Sequence, residues 1–579
     1  MKKIMFSLVV ILCVMTGCKE QIADTVVYGS IHTADIETPV AEAIAIKDGK
    51  YIYVGDKDGA AAFIKEGVTQ IIDHTGKGMV MPGCTEGHAH YLMGSALVCL
   101  GGLTISNESD GIDSFFEKVK TAYEEAKSEG KRGIFGMGWN YHTFTAEGMP
   151  TRDQLDAICP DIPLYVYDSE GHKALVNTAC LRNAGVMDES GNVLKSQIRG
   201  GEICMDKNGK PNGLLLEQAA TYVRNKGVDF NDLFSLEPAT KALEMSCQML
   251  WANGYTTYMD GWSNYFGNSS IYEAAAKLDQ EGKLNLLLGL SYEIESSCED
   301  VDAEIAKAVE MKKYSNEHIF ANYIKLFIDG TVEGGTGLTL EPYPDGHPGI
   351  ANWEEDEVAD ITGKANAQGL TMHIHTMGDG AVHRCVNAFV NKGTKEARNT
   401  LVHVRNMPEE DYQRVADNDI VVVCGILWHV LADEMKELVK TLAPANVADK
   451  SYPMKSYFDC GAIMTSHSDY PATFGSPNDP FGIMEIAVTG SCQYPGNPDR
   501  YTSPWWPEEL ITIDQVFSAL TINGAYQMHV ENERGSIKVG KWADFVLTDQ
   551  DVFECPVRDI HKTKVLSTWF EGKKVYEKQ

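Results

Sequence analysis

The residues with the clearest capacity for chemistry are two histidines spaced two apart. They are His88 and His90, in Val80-Met81-Pro82-Gly83-Cys84-Thr85-Glu86-Gly87-His88-Ala89-His90. Side chains along a strand alternate faces with period two, so both imidazoles point the same way and can share a metal at a strand end. His-x-His alone is a weak signal, but here it directly follows an apolar strand that ends at Pro-Gly. Lys325 stands inside the apolar run Ile324-Lys325-Leu326-Phe327-Ile328, where desolvation lowers an amine's pKa and favours its neutral form. A neutral amine can capture CO₂ as a carbamate, and a carbamate can bridge two divalent metals. The alternative is a buried charged lysine paired with Asp329 or Glu333. His375 and His403 each fall near the end of an apolar strand, and neutral imidazole is a common ligand for zinc and similar ions. His373 shares a face with His375 and is a rival ligand or a supporting group. Asp469 follows the strand-like residues 461–468, where it either ligates a metal and takes a proton from water or serves as a turn residue before Pro471.

These candidates need strands that deliver them to one place. Residues 81–525 alternate short apolar strands (324–328, 371–375, 420–424) with helical runs (113–128, 238–252, 301–313), which argues for a parallel sheet. The number of repeats predicts an α/β fold of the (β/α)₈ TIM-barrel type, whose catalytic residues sit at the C-terminal ends of the strands. The surplus length is expected as an insertion near residues 140–225, where Gly, Asn and Asp turn signals are dense. Residues 19–80 and 526–579 share a texture of short strands and tight turns, so a small β-sandwich built from both termini is expected.

The whole chain limits the classes of function. It has 579 residues, with 50 basic and 82 acidic side chains and a net charge of -32. That balance argues against nucleic acid as a partner, because phosphate binding needs clustered Lys and Arg. Lys2-Lys3, the apolar residues 4–14 and Met15-Thr16-Gly17-Cys18 resemble a bacterial lipoprotein signal. Residues 1–18 are therefore read as that signal, with Cys18 lipidated. The expected location is the cell envelope, with membrane contact only through the anchor. The fourteen cysteines include no Cys-x-x-Cys pair, and Cys247, Cys385 and Cys424 sit in apolar contexts as small buried hydrophobes.

Taken together, the motifs resemble the amidohydrolase superfamily, in its family 3 branch. The opening motif of that branch is Pro-Gly-x-x-Asp-x-His-x-His, and this chain matches it with Glu86 in place of Asp. The resemblance continues through Gly138-Trp139-Asn140, Gly171-His172-Lys173-Ala174-Leu175-Val176-Asn177 and Ile324-Lys325-Leu326-Phe327-Ile328-Asp329-Gly330. It ends with His375-Thr376-Met377-Gly378-Asp379, Ser468-Asp469-Tyr470-Pro471 and Gly535-Ser536-Ile537-Lys538-Val539-Gly540. It implies two divalent metals, zinc or a similar ion, held by His88, His90, Lys325, His375, His403 and Asp469, with Lys325 carboxylated on its side-chain nitrogen. It favours His375 over His373 as the ligand.

The implied reaction is hydrolysis of a non-peptide C–N bond in an amide, cyclic amide or N-acyl compound. Metal-bound hydroxide attacks, and Asp469 is the general base and acid. His172 would hydrogen-bond the substrate carbonyl or its oxyanion, making it a catalytic as well as a substrate-binding candidate. Trp139 and Trp428 are further substrate-side candidates, while His142, His429 and His467 fit packing or support better. A small molecule is the expected partner, and the resemblance also implies a homodimer. The same barrel and metals would serve isomerisation, deamination or C–O hydrolysis, since fold does not fix chemistry. A non-catalytic binding lipoprotein has no reason to place these six residues on successive strand ends.

Overall fold

The computed structural model describes residues 21–579 apart from 100–101, 106–110, 140–143, 145–147, 170, 230–234, 431–432, 449, 473–478 and 492–503. Cys18 and His142 lie outside the described residues. Eight parallel strands form the barrel expected from the alternating pattern. They are β1 (Cys84–Ala89), β2 (Tyr255–Asp260), β3 (Leu287–Glu293), β4 (Ile319–Phe327), β5 (Thr371–Thr376), β6 (Thr400–His403), β7 (Val421–Cys424) and β8 (Met464–Ser466). Each pairs with its neighbour in chain order, apart from the step from β8 back to β1. Every residue of β5, β6 and β7 is buried. Outward side chains lie under helices and inward ones fill the barrel, so these strands read as largely apolar runs, interrupted by His373, His375, His403 and a few buried threonines.

Register sets the depth of each inward side chain. Glu293, Lys325 and His373 are partners across β3, β4 and β5, which puts them in one layer of the barrel. Phe327 pairs with His375 one layer higher, and Thr376 pairs with His403. His373 therefore lies below His375 on the same face.

The seam between β8 and β1 is closed through Glu86 and the loop after β8. The Glu86 carboxylate accepts from the backbone N–H of Ser468 at 2.9 Å and of His88 at 3.3 Å. The Asp469 N–H donates to the His88 carbonyl at 3.1 Å, and Gln527 Nε2 donates to the Gly87 carbonyl at 2.8 Å. Glu86, the one departure from the family's opening motif, thus ties together the strand ends that carry His88 and Asp469.

The chain termini meet in one eight-stranded sheet containing Thr25–His32, Val40–Lys47, Lys50–Gly55, Gln70–Asp73, Met79–Pro82, Phe545–Thr548, Val565–Phe570 and Lys573–Glu577. Thr25–His32 pairs with Gln70–Asp73 along its first half and with Met79–Pro82 further on, so the sheet forks there. Val27, Ile44, Val80, Phe545 and Trp569 share its core. At about 1.5–3 kcal/mol for each large side chain buried, this cluster holds the two chain ends together.

The insertion begins earlier than the turn-rich residues 140–225 suggest. Its six-stranded sheet runs from Leu103–Thr104 to Pro211–Glu217. Its first strands are apolar and look like barrel strands, which is why turn density alone misplaces the boundary. No helix among the described residues is long and apolar enough to cross a membrane.

Candidate metal centre and active site

The barrel strands bring the sequence candidates together at their C-terminal ends. His88 Nε2 and His90 Nε2 each lie 3.4 Å from Asp469 Oδ1. Ligand atoms of His88, His403 and Asp469 lie within 4.8 Å of one another. The rings of His375 and His403 are 4.6 Å apart between centroids, and those of His88 and His403 are 5.1 Å apart. The backbone is strained where these groups are delivered: His403 has φ 74° and Asp469 φ 53°, a region costly for side chains other than glycine. Gly261 is required beside them, because a Cβ there would stand 2.1 Å from the His88 ring.

Several of the buried polar atoms here have no hydrogen-bond partner among the described residues. They include His88 Nε2, Lys325 Nζ, Asp469 Oδ1 and His90 Nδ1. Buried polar atoms are normally satisfied, so orphans of this kind, gathered on nitrogen and carboxylate donors, fit a cation site. Lys325 is fully buried with its amine 4.4 Å from the Phe327 ring centroid. Burial pushes it down to about 7, against the pull of Asp469, Glu293 and Asp260. Neither expected counter-ion reaches it. Asp329 accepts from the N–H groups of Leu338, Met377 and Gly378, and Glu333 pairs with Arg405. Burial also holds His88, His373, His375 and His403 well below the ordinary histidine value, which keeps them neutral and able to ligate. Burial alone would raise Asp469, but His90, His467 and Lys325 outweigh it and keep the carboxylate ionised.

Supporting groups set the orientation of the ligand-type residues. His373 Nε2 meets His88 Nδ1 at 2.7 Å, so His373 supports His88 while His375 faces the cavity above. His467 Nε2 meets His403 Nδ1 at 3.2 Å. Asp329 Oδ1 comes within 3.2 Å of His375 Nδ1.

A solvent-connected cavity opens onto His90, His375, His403 and Asp469. The insertion forms much of its other wall and contributes His172. His172 Nδ1 meets Glu217 Oε2 at 2.8 Å, and its ring is 5.0 Å from that of His375. Asp168 shapes the turn by accepting from the N–H groups of His172 and Lys173. Glu217 has φ 50°, and a Cβ on Gly330 would stand 2.0 Å from its carboxylate.

Two substrate-side expectations are corrected. Trp139 does not line the cavity. It is buried in the insertion core beside Phe144, and its indole N–H donates to the Val166 carbonyl at 3.0 Å. Its apolar strand places it on the core face. Trp428 also lies off the cavity and packs against the rings of His403 and His467 at 5.4 and 5.0 Å. His429 is buried against Tyr452 and Trp506.

Sequence reasoning missed Glu217, Asp260 and Arg224. Glu217 ends an alternating strand, Pro211–Glu217, where an acid on the buried face was the available signal. Asp260 closes β2, is pushed up to about 6 by burial, and accepts from Tyr258 and Ser263.

Comparison with known proteins agrees with this architecture. The profile of the amidohydrolase family (Amidohydro_3) matches residues 70–576. Protein LONG AFTER FAR-RED 3 of Arabidopsis thaliana is 26% identical over 95% of this chain and 90% of its own length. N-substituted formamide deformylase of Arthrobacter pascens is 23% identical over 96% of this chain and 98% of its own. The crystal structure of an uncharacterised metal-dependent hydrolase from Pyrococcus horikoshii OT3 superposes with a TM-score of 0.70 at 19% identity, covering 92% of this chain and 99% of that one. The chain therefore belongs to the amidohydrolase family.

Proposed function

We propose that the chain is a metal-dependent hydrolase that cleaves a non-peptide amide, cyclic amide or N-acyl compound, with Asp469 carrying the proton. The observation behind this reading is that His90, His375, His403 and Asp469 line one cavity, that His88 stands against His403 and Asp469, and that buried polar atoms of His88, His90, Lys325, His375 and Asp469 have no hydrogen-bond partner among the described residues. The likeness to N-substituted formamide deformylase supports a C–N bond as the target. Two divalent ions, zinc or a similar ion, suit the donor set. His88, His90 and Asp469 would hold one, and His375 and His403 the other. Lys325 would lie between them as its carbamate, formed when the neutral amine adds to CO₂ and releases one proton.

Ions bound there lower the pKa of water and polarise a carbonyl. Asp469, held ionised, accepts the proton of the attacking water and returns it to the leaving nitrogen. His172 faces the carbonyl oxygen from the insertion wall, and Glu217 holds its ring in that orientation.

The test is a panel of N-acyl amines, cyclic amides and esters, assayed with and without a chelator. Chelator-sensitive cleavage of amides, lost in Asp469→Asn with fold and metal retained, supports the reading; cleavage of esters alone contradicts it. We also infer export and anchoring at the cell envelope through a lipid on Cys18. Cys18→Ala should move the protein from the membrane to the soluble fraction, and an unchanged partition would contradict the anchor.

A further inference from the structure

The segment that follows Cys18 joins the fold at a fixed point. Ala23 is fully buried; its N–H donates to the Phe63 carbonyl at 2.9 Å, and its carbonyl accepts from the Thr69 hydroxyl at 2.9 Å. Asp24 continues the attachment. Its carbonyl accepts from the Gln70 N–H at 2.8 Å, and its carboxylate pairs with Lys47 at 2.6 Å. Ala23 comes only a few positions after Cys18. A chain of that length, fully extended, spans at most about 18 Å. A lipid on Cys18 would therefore keep this end of the terminal sheet within roughly that distance of the bilayer surface.

The surface around Ala23 carries apolar side chains open to water. Val68, beside Thr69, is 58% exposed, and Ile71, the register partner of Val26, is 45% exposed. Lys65, Glu66 and Gln70 are exposed around Val68 and suit a headgroup layer. Exposed apolar side chains where a short lipid tether meets the fold have an acyl boundary within reach. Ile36, Val40 and Val539 are also exposed, but they lie at the opposite end of Thr25–His32. Val40 pairs with His32, and Lys538 pairs with Asp35 and Glu37. A strand of this length covers about 23 Å, which is more than the tether spans. Thr25–His32 pairs through Ser30 and Ile31 with Met79–Pro82, which leads through Gly83 into β1 of the barrel. The Ala23 end is thus the end of the sheet away from the barrel.

We propose that this end of the terminal sheet, with Val68 and Ile71 foremost, rests on the lipid bilayer and holds the barrel and its cavity on the aqueous side. This inference rests on the lipid anchor inferred above at Cys18 and adds the protein surface that meets the membrane. With a net charge of -32 the chain gains nothing from anionic headgroups, so the contact is apolar. The lipid supplies the binding, and the patch restricts the tilt.

The experiment places the full-length, lipidated chain on phosphatidylcholine vesicles, with the Cys18→Ala form in solution as reference. Backbone hydrogen exchange is read by mass spectrometry. The expected result is exchange about fivefold or more slower across residues 63–72 on the vesicles, with residues 34–40 and 536–540 unchanged. Val68→Asp combined with Ile71→Asp, both at exposed positions, should leave the chain on the vesicles and abolish that protection. Protection that survives the double substitution overturns the inference. So does a vesicle-bound, lipidated chain with unchanged exchange at 63–72, or with protection at 34–40 and 536–540 instead; both leave the anchor intact. An N-terminal peptide whose mass shows Cys18 unmodified overturns the anchor and the docking surface together.

Discussion

Glu217→Gln isolates the electrostatic part of the insertion's contribution to catalysis. Glu217 and His172 meet at 2.8 Å with side-chain exposures of 3% and 9%, so solvent does little to screen their bond. Burial alone would raise the Glu217 carboxyl, yet His172 and Thr336 hold it below its ordinary value, so the carboxylate is ionised. A hydrogen bond to a charged group is worth about 1.5–3 kcal/mol, against about 1 kcal/mol between neutral groups. Gln keeps the volume and an acceptor oxygen, so the change removes about 1–1.5 kcal/mol of support for the imidazole. If His172 stabilises charge on the substrate oxygen, that loss appears in the transition state as a fall of about tenfold in kcat/KM. Glu217→Ala, which leaves the ring unheld, should cost more. The assay is steady-state cleavage of the best amide from the panel, with metal content and melting temperature measured on each variant. The expected pattern is a fall in kcat with little change in KM and with metal and fold retained. Wild-type turnover in Glu217→Gln, or a loss fully explained by lost metal, refutes the reasoning.

Two further predictions concern stability. Glu86→Ala leaves the buried N–H groups of His88 and Ser468 without their acceptor, at about 1–3 kcal/mol each. Unfolding in urea should show a loss of a few kcal/mol, and a midpoint equal to wild type would contradict the seam's dependence on Glu86. His318 joins the barrel to the terminal sheet through Glu571 at 3.2 Å and Asp279 at 2.7 Å. Its pKa is raised by the hydrogen bond to Glu571, against burial and with help from Asp279. The folded state therefore binds the proton more tightly than the unfolded chain. That stabilisation, on the order of 1 kcal/mol, is fully present below about pH 6.5 and is lost as pH rises through the folded value. His318→Gln should lower the melting temperature at about pH 6 and much less at about pH 9, and an equal effect at both contradicts the assignment.

The barrel and most of its candidate site were legible because period and context coincide. His88 lies at the end of β1 and His90 just past it, Lys325 interrupts an apolar strand, His375 is next to the last residue of β5, and His403 closes β6. A polar residue in a strand buried on both faces has few structural excuses, which makes it readable from sequence alone. Register was not readable. That His373 lies level with Lys325 and touches His88 follows from pairing across β4 and β5, which no single segment encodes. The insertion was hardest, because its contribution depends on tertiary docking. Trp139 sits in a motif with the look of a substrate contact, yet its indole fills the insertion core. Glu217 resembles any acid at the end of a strand until it is found against His172.

His88, His90, Lys325, His375, His403 and Asp469 are proposed to form one two-metal centre. The most direct test is elemental analysis of the purified chain, paired with activity before and after chelation. The expected result is about two divalent ions per chain, a lower content in Lys325→Ala, and amide cleavage that disappears on chelation and returns with zinc or a similar ion. A chain that holds no metal and cleaves amides equally well in chelator would contradict it.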